Sequence, residues 1–532
     1  MEVNFVTFQQ VKEIDQLTIQ KSVPEKILMG LASQSIFISM YHLDLIHPKN
    51  VYIFLCGSGN NGGDGFALAY LMLSSMFLNS SNIKIYSNPP KSESSKYYQN
   101  LVKNYVPLLS LEDFINQFYI NEQLLSFDKL FFIEALLGSG QKDLPAKPYM
   151  DILKKITLLK EKFSNKIQYI AIDIPAGLSE EYSYVNPKEF IDFFQFCIPD
   201  IIFNIGLPKL AISFHPKISS ESKIINLPCG FDPKVQEEVV KSKTEFVELP
   251  PVSHFDFIKK KKYDHKYTSG YAWIFSGSEN FEGASFLASK AFFYSGGGIL
   301  HLVYFSHHKE KFLHFDPSII YHHIKDFDDK FYSLKIPNCI AIGSGISPND
   351  IENYKFFFIK FLKYLSEFNH KPIIILDAYA TKLILEAEYP EVLKRLTILT
   401  PHLGEWKELG GEFPYIVKNW DSILDFHKKL GCSILLKGSI SFFLPYPSQE
   451  KKSKVYIWNH QNQNLSTAGS GDVLVGMLLR FFSKIDDNLF SDYLLLGIQT
   501  ILTLQNLMAR EYGTSFEYLK QIKEILKNEV LL

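Results

Sequence analysis

The chain has 532 residues, a formal net charge of −2 and five scattered cysteines, and 46% of its residues are hydrophobic. This length predicts two or more domains, and the near-zero charge gives no bulk electrostatic attraction to nucleic acid. No apolar run is long enough to span a bilayer, the N-terminus does not look like a signal peptide, and an odd number of separated cysteines argues against a disulfide framework, so the expected location is the cytoplasm.

The first apolar pattern, from Phe5 to Ser33, predicts a helix. A short apolar strand then runs from Val51 to Leu55 into a glycine-rich loop, Cys56 to Gly65, and a helical pattern follows. Strand, glycine-rich loop and helix form the phosphate-binding layout of doubly wound α/β proteins, although the spacing is neither GxGxxG nor a Walker loop. The alternative interpretation is an ordinary glycine-rich turn.

Two further apolar strands end in acidic side chains. Glu134 follows the strand Leu130 to Ile133, and Asp173 follows the strand Tyr169 to Ile172. Ligands of open parallel sheets bind at the carboxyl ends of the strands, so Asn61, Glu134 and Asp173 are expected to converge there. Taken singly, each acid is as consistent with a helix cap as with a catalytic group.

The motifs Gly59-Asn60-Asn61-Gly62-Gly63-Asp64-Gly65, Glu134 to Gly140 and Asp173-Ile174-Pro175-Ala176-Gly177 together resemble the NAD(P)H-hydrate epimerase domain. The resemblance implies a Rossmann-like sheet over residues 1–235 that interconverts the R and S hydrates and binds potassium through Asn61, Glu134 and Ala176. It implies Asp173 as the acid/base. The implied nucleotide contacts are Asn60, Asn61, Gly62, Gly63, Asp64, Gly138, Ser139, Gly140, Gln141, Lys142, Asp143 and Leu144.

From Tyr271 a second series of strands begins, and polar residues follow most of their carboxyl ends. It leads to a glycine-rich run, Thr467 to Asp472, directly before an apolar helical pattern. Free N–H groups at such a helix start form an anion site, and an acid beside it can take a proton from an attacking hydroxyl. An ordinary helix N-terminus with an acidic first turn is the alternative.

Many motifs of this half, among them Leu376-Asp377-Ala378, Thr400-Pro401-His402 and Gly469-Ser470-Gly471-Asp472, resemble the ribokinase-like NAD(P)H-hydrate dehydratase. The resemblance implies a ribokinase-like α/β sandwich over residues 236–532, with Asp472 as the base and magnesium bound with ADP or ATP. The implied hydrate contacts are Ala284, Gly345, His402 and Asp472, and the implied ADP contacts are Lys437, Gly438, Ser439, Ile440, Ser441 and Gly471.

The favoured hypothesis is therefore a two-domain α/β enzyme that epimerises NADHX and NADPHX and dehydrates the S form with an adenine nucleotide. No nucleic acid or membrane partner is expected, and a homo-oligomer is the expected assembly. A ribokinase-like small-molecule kinase is one alternative. The other is a nucleotide-binding scaffold with decayed sites, for which three departures from the family pattern speak: Glu134, Ala176 and Tyr379.

Overall fold

The computed structural model describes residues 3–141, 145–180, 198–260, 262–313, 316–327, 331–447, 452–460 and 462–527. The chain forms two compact units, Met1–Phe246 with Phe413–Trp420, and Val247–Glu412 with Asp421–Leu532. None of the helices in these described ranges combines the length and the hydropathy needed to cross a membrane.

The first unit is built on a parallel sheet of seven strands in the order β4-β3-β2-β5-β6-β7-β8. Its strands, preceded by the short β1, are β1 Asn4–Phe5, β2 Asn50–Cys56, β3 Ile83–Ser87, β4 Leu108–Ser110, β5 Lys129–Ala135, β6 Ile167–Ile172, β7 Ile201–Ile205 and β8 Lys223–Leu227. Every residue of β2 is buried, which is why its sequence reads as a continuous apolar run. The strand order reverses between β2 and β5, so this sheet has a crevice at the carboxyl ends of those strands.

Helices cover both faces of this sheet, and two apolar clusters fill the layers between. Their bounds are α1 Phe8–Lys21, α2 Glu25–His42, α3 Asn60–Ser74, α4 Glu93–Lys103, α5 Leu111–Gln117, α6 Glu122–Leu125, α7 Tyr149–Lys162, α8 Leu210–Phe214, α9 Pro216–Glu221 and α10 Pro233–Ser242, with a 3-10 turn at Ser80–Asn82.

The prediction of one helix from Phe5 to Ser33 is wrong. A short strand occupies Asn4–Phe5, and α1 and α2 are separate helices. Pro24 is the cap of α2, and proline lacks the N–H that a continuous helix would need, so the chain breaks before it. Thr7 and Gln10 form a capping box that fixes the start of α1.

The glycine-rich segment after β2 is shorter as a loop than the sequence suggests, because α3 already begins at Asn60. Two of its glycines have opposite surroundings. A Cβ built on Gly57 would lie 1.8 Å from the carbonyl oxygen of Leu136, whereas a Cβ on Gly59 has no neighbour within 4 Å. The tight turn of Gly57 against the end of β5 therefore requires glycine.

We expect Gly57→Ala to destabilise the first unit by about 1–3 kcal/mol or more, because a backbone atom must move to admit the methyl group. Gly59→Ala is the matched control, with an expected change of less than about 0.5 kcal/mol. Urea unfolding of both variants, followed by circular dichroism, measures the difference. Equal midpoints for the two variants would contradict the close approach.

The second unit contains a sheet in which β18-β17-β16-β15-β14-β13-β10-β11-β12 are neighbours. From β16 to β12 the pairs are parallel, and β17 and β18 add antiparallel strands. The bounds are β9 Glu245–Glu248, β10 Tyr271–Phe275, β11 Ile299–Tyr304, β12 Ile319–His323, β13 Cys339–Ile342, β14 Ile373–Leu376, β15 Thr397–Leu399, β16 Ser433–Leu436, β17 Ser441–Leu444 and β18 Lys454–Trp458.

Helices pack on this sheet through a large buried cluster. They are α11 Glu282–Tyr294, α12 Lys309–Leu313, α13 Ile324–Phe327, α14 Pro348–Asn353, α15 Lys355–Ser366, α16 Glu391–Lys394, α17 Leu403–Leu409, α18 Trp420–Leu430, α19 Ser470–Phe482, α20 Phe490–Met508 and α21 Ser515–Lys527. Shorter 3-10 helices of this unit occupy Phe331–Ser333, Ala378–Leu385, Gln463–Leu465 and Asp487–Leu489, and another, Val417–Asn419, belongs to the first unit. Ten consecutive residues of α19, 473–482, are buried, so this helix is fixed in the core and its N-terminus is held rigidly at the sheet edge.

Candidate active sites

A cavity of about 790 Å³ opens at the carboxyl ends of β2, β5 and β6 in the first unit. Its wall is drawn from α1, α2, the start of α3 and the segments that follow the three strands. The polar and charged side chains among its lining residues are Lys12, Asp15, Gln16, Glu25, Ser58, Asn60, Asn61, Asp64, Lys91, Ser139, Gln141, Tyr149 and Asp173. The cavity therefore lies at the crevice that the strand order predicts.

Asp173 is held on this wall by a buried lysine. Its Oδ1 accepts hydrogen bonds from Lys209 Nζ at 2.6 Å and from the N–H of Ile205 at 3.1 Å. The Lys209 side chain is fully buried and also donates to Asn204 Oδ1 and to the Ile205 carbonyl. Asp173 has a φ of +63°, a left-handed conformation that is uncommon outside glycine. The ion pair and the Ile205 N–H thus fix one oxygen of the Asp173 carboxylate.

Three more carboxyl groups line the same cavity, and they repel one another. Burial, Glu25 and Asp173 together raise the pKa of Asp15 to about 6. Burial first, and then the charges of Asp173, Asp15 and Glu25, raise the pKa of Asp64 well above its usual value. Glu25 is engaged, since its two oxygens accept hydrogen bonds from Asn60 Nδ2 and Ser94 Oγ.

Asn61, on the cavity wall, and Glu134, behind it, bond to the segments that follow β5 and β6. Glu134 is fully buried, and its oxygens accept the N–H groups of Leu136 at 2.9 Å and Ala176 at 3.1 Å. Burial raises the pKa of Glu134 to about 7 against the lowering effect of these hydrogen bonds. Asn61 Nδ2 donates to the carbonyls of Leu137 and Ile172, so its Oδ1 orientation is settled, and that oxygen is buried without a hydrogen-bond partner.

An unpartnered buried amide oxygen and a buried carboxylate, both bonded to the segments after β5 and β6, are ligand types suited to a cation with oxygen ligands. Asn61 and Glu134 therefore fit the cation site that the sequence implies. Ala176 reaches Glu134 through its backbone N–H, so only its carbonyl could serve a cation. Within the described part of the chain, no three His, Cys, Asp or Glu side chains come together as a metal site.

The second unit places a buried ion pair at the carboxyl ends of β14 and β16. Lys437 Nζ lies 2.8 Å from Asp377 Oδ1, which also accepts a hydrogen bond from Thr400 Oγ1 at 2.7 Å. Ser344 Oγ contacts Asp377 Oδ2 at 3.4 Å. These groups follow β13, β14, β15 and β16, so four adjacent parallel strands converge on one polar cluster.

Asp472 lies beside this cluster in the first turn of α19. Burial and the neighbouring Asp377 raise the pKa of Asp472 to about 7, while Lys437 and a hydrogen bond from Ser344 lower it. Gly469 caps the helix with a φ of +86°, and a Cβ there would lie 2.3 Å from Leu287 Cδ1. The glycine turn thus exposes the first N–H groups of α19 next to a carboxyl group that titrates near neutral pH.

The other three predicted hydrate contacts are Ala284, Gly345 and His402. A Cβ on Gly345, whose φ is +63°, would lie 2.5 Å from Ala284 Cβ, so these two residues touch. His402 pairs with Lys437 in a parallel β-bridge, but its ring is 60% exposed. Its Nδ1 accepts the N–H groups of Gly404 and Glu405, which makes it the cap of α17. The ring is consequently fixed by its own helix.

Comparison with known proteins gives one family match in the first half of the chain and another in the second. Residues 25–211 match the family model described as YjeF-related protein N-terminus, and residues 272–492 match the model described as NAD(P)H-hydrate dehydratase. A bifunctional NAD(P)H-hydrate repair enzyme from Dictyoglomus turgidum is 24% identical over 91% of this chain and 90% of its own length. One from Thermofilum pendens is 25% identical over 89% of this chain and 86% of its own.

The chain belongs to the bifunctional NAD(P)H-hydrate repair family. An ADP-dependent (S)-NAD(P)H-hydrate dehydratase from Staphylococcus aureus matches 46% of the chain at 24% identity and covers 83% of its own length. The mixed α/β fold in two units, a parallel sheet followed by a larger mixed sheet, agrees with the expected fold class.

The predicted motif residues of the first unit either line the cavity or are packed inside the protein. The predicted residues on the cavity wall are Asn60, Asn61, Asp64, Gly138, Ser139, Gly140, Gln141 and Asp173. Gly62 and Gly63 are packed inside, where an added Cβ would lie 2.0 Å from the Gly57 carbonyl oxygen and 2.3 Å from Ser95 Oγ, respectively. Lys142, Asp143 and Leu144 lie outside the described residues.

In the second unit of this repair-family chain, the predicted nucleotide residues flank Asp472. Gly471 faces Lys437, because a Cβ built on it would lie 3.5 Å from Lys437 Nζ. Gly438 and Ser441 close the turn after β16, and Ile440 is buried within it. Ser439 lies in the same turn. Tyr379 departs from the family pattern, and Lys382 Nζ lies 4.0 Å above its ring.

Three lysines of the first unit were missed by sequence reasoning. Lys12 and Lys91 line the cavity and supply positive charge for an anionic nucleotide, but both lie in polar segments that carry no motif. Lys209 had a signal: it is a single charge within the apolar stretch from Ile201 to Phe214. A lysine in such a stretch is rarely fully buried unless it is paired.

Proposed function

We propose that this chain restores NAD(P)H from its hydrates, with an epimerase site in the first unit and an ADP- or ATP-dependent dehydratase site in the second. Membership of the repair family and the matching pair of family models support the proposal. The single observation that carries it is Asp472, a half-buried carboxyl with a pKa of about 7 at the start of α19.

The dehydratase chemistry follows from that position. The hydrate carries a hydroxyl on the carbon next to the ring nitrogen, and hydroxide is a poor leaving group. Asp472 takes the hydroxyl proton while the oxygen attacks the terminal phosphorus of the nucleotide, and the shortened nucleotide leaves. The exposed N–H groups at the start of α19 stabilise negative charge on the phosphoryl group in transit.

The second half of the reaction is an elimination. The C–O bond breaks, inorganic phosphate departs with the electron pair, and a proton leaves the neighbouring carbon as the ring double bond forms again. Lys437, which is ion-paired with Asp377, contributes positive charge beside the phosphates. This sequence yields NAD(P)H, inorganic phosphate, and AMP from ADP or ADP from ATP.

Both units are proposed to use a cation. Asn61 and Glu134, with the Ala176 carbonyl, would hold potassium, which would help to order the strand ends that carry the nucleotide contacts. Asp377 would offer a carboxylate oxygen to magnesium, with the nucleotide's phosphates among its other partners, and the ion would neutralise phosphate charge.

The test is a hydrate assay. Purified protein is incubated with a racemic mixture of hydrated NADH and either ADP or ATP, and the absorbance band of NADH is followed. Complete conversion of both forms, beyond the rate of spontaneous epimerisation, is the expected result. A stable phosphoester instead of NADH would point to the kinase alternative, and no reaction with either nucleotide would support the decayed scaffold.

The pH dependence of dehydration follows from the protonation of Asp472. Its pKa in the free enzyme is about 7, and the base acts only when deprotonated, so kcat/KM should fall about tenfold per pH unit below pH 7 and level off above it. A profile of kcat/KM for the hydrate against pH, from 5 to 8.5 at saturating nucleotide, measures this decrease. A flat profile through this range would contradict the role of Asp472 as base.

A further inference from the structure

Epimerisation at the carbon that carries the hydroxyl requires two proton transfers. Hydration of an enamine leaves the hydroxyl on the carbon next to nitrogen, where the nitrogen lone pair can expel it as water. The C–O bond breaks with a proton donated to the leaving oxygen, a C=N⁺ bond forms, and water then adds to the opposite face as a base removes its proton. One face of the ring therefore needs a carboxylic acid and the other a carboxylate.

The cavity of the first unit contains these two kinds of carboxyl on different elements. Asp173, after β6, is ion-paired with buried Lys209. Asp15, on α1, lines the same cavity and is half-buried, and its carboxyl forms no hydrogen bond or ion pair with the described residues. The charged groups around Asp15 are Glu25 and Lys12, together with Asp64 and Asp173.

We propose that Asp15 is the second catalytic residue of the epimerase site, the general acid that protonates the departing hydroxyl while Asp173 accepts the proton of the incoming water. The roles exchange for the reverse direction. This inference rests on the proposed epimerase function of the first unit and adds a residue from a different helix to it.

The other acids of the cavity are less suited to this role. Both carboxylate oxygens of Glu25 already accept hydrogen bonds, one from Asn60 and one from Ser94. Burial, followed by the charges of Asp173, Asp15 and Glu25, raises the pKa of Asp64 well above its usual value and so disfavours its carboxylate form. Asp15, whose pKa is about 6, can both give and regain a proton at physiological pH.

The test compares Asp15→Asn with Glu13→Gln. Glu13 lies on the same helix but outside the cavity wall, where it pairs with Lys243 at 3.6 Å, so the control removes the same charge. Epimerisation is measured as the rate at which the R hydrate is consumed when dehydration by the second unit is fast. Uptake of ¹⁸O from labelled water into the hydrate hydroxyl reports the C–O cleavage itself.

We expect Asp15→Asn to slow both R-form consumption and ¹⁸O uptake by about 100-fold or more, and Glu13→Gln to change neither by more than about twofold. Dehydration of pure S hydrate should be unchanged in both variants, which shows that the second unit is intact, and unchanged unfolding midpoints by circular dichroism show that the first unit is folded. The wild-type rate–pH profile should lose activity as Asp15 deprotonates above pH 6, and this limb should vanish in Asp15→Asn.

The outcomes separate two failures. If wild-type protein does not accelerate epimerisation at all, the proposed epimerase function is wrong. If the wild type epimerises but Asp15→Asn keeps its rate and its pH limb, the assignment of Asp15 is wrong. Rapid epimerisation without ¹⁸O uptake would also overturn the proposal, because it would mean that the ring opens without loss of water.

Discussion

Replacing Asp472 by asparagine should abolish dehydration, with kcat lowered by about 10²–10⁴-fold. Asparagine keeps the shape of the side chain and its place in the first turn of α19, but it cannot accept the hydroxyl proton. The hydrogen-bonding environment formed by Ser344 and the neighbouring Asp377 can accommodate an amide. The loss should therefore be in the chemical step, and nucleotide binding measured by calorimetry should change little.

Asp492→Asn is the matched control, since Asp492 also stands in the third position of its helix, α20, but is exposed. It should retain full activity. A stability measurement distinguishes loss of the base from misfolding as the cause of any lost activity in Asp472→Asn. The folded-state pKa of Asp472 is raised, so its stabilising contribution is complete below its unfolded pKa of about 4 and is lost as pH rises through 7. Asp472→Asn should then be more stable than wild type at pH 8, and a less stable variant would contradict this account.

The second large effect concerns Lys209, whose ammonium is fully buried against Asp173. Lys209→Met leaves the Asp173 carboxylate without its partner, and breaking such a buried pair costs about 3–5 kcal/mol. Epimerase activity should fall by about 100-fold or more, because Asp173 loses the contact that orients it. Denaturant unfolding and the R-hydrate assay measure the two effects.

Two further variants show whether the effect is electrostatic. Lys209→Met combined with Asp173→Asn removes both charges and should recover a large part of the stability while leaving the epimerase inactive. Lys160→Met breaks a pair with Asp200 that is about one-third exposed, and it should cost only about 0–1 kcal/mol and leave epimerisation intact. Equal losses for Lys160→Met and Lys209→Met would contradict the special role of the buried pair.

Much of the site could be predicted because the carboxyl ends of parallel strands lie at the same edge of a sheet. Asp173 and Asp377 each directly follow a buried strand, and the structure places each of them in a polar cluster at such an edge. The glycine run before Asp472 identified the helix start for a similar reason, since Gly469 adopts a positive φ. In each case a local pattern carried the information.

Other features depend on contacts between distant parts of the chain. Asn61 bonds to Leu137 and Ile172, and Lys209 bonds to Asp173 from 36 positions away. The same applies to Asp15, whose helix was predicted but whose approach to the cavity follows from packing of α1. The break at Pro24 was a local signal that the apolar periodicity concealed.

The left-handed backbone of Asp173 limits how this position can vary over time. Such a conformation costs about 1–2 kcal/mol for most residues, less for aspartate and asparagine, and glycine relieves it fully. Loss of the carboxylate alone would nevertheless leave the buried Lys209 ammonium unpaired, which costs about 3–5 kcal/mol. In descendants of this chain, replacement of the acid should therefore be accompanied by replacement of Lys209, and such a paired change should mark a lineage in which the first domain no longer turns over its substrate.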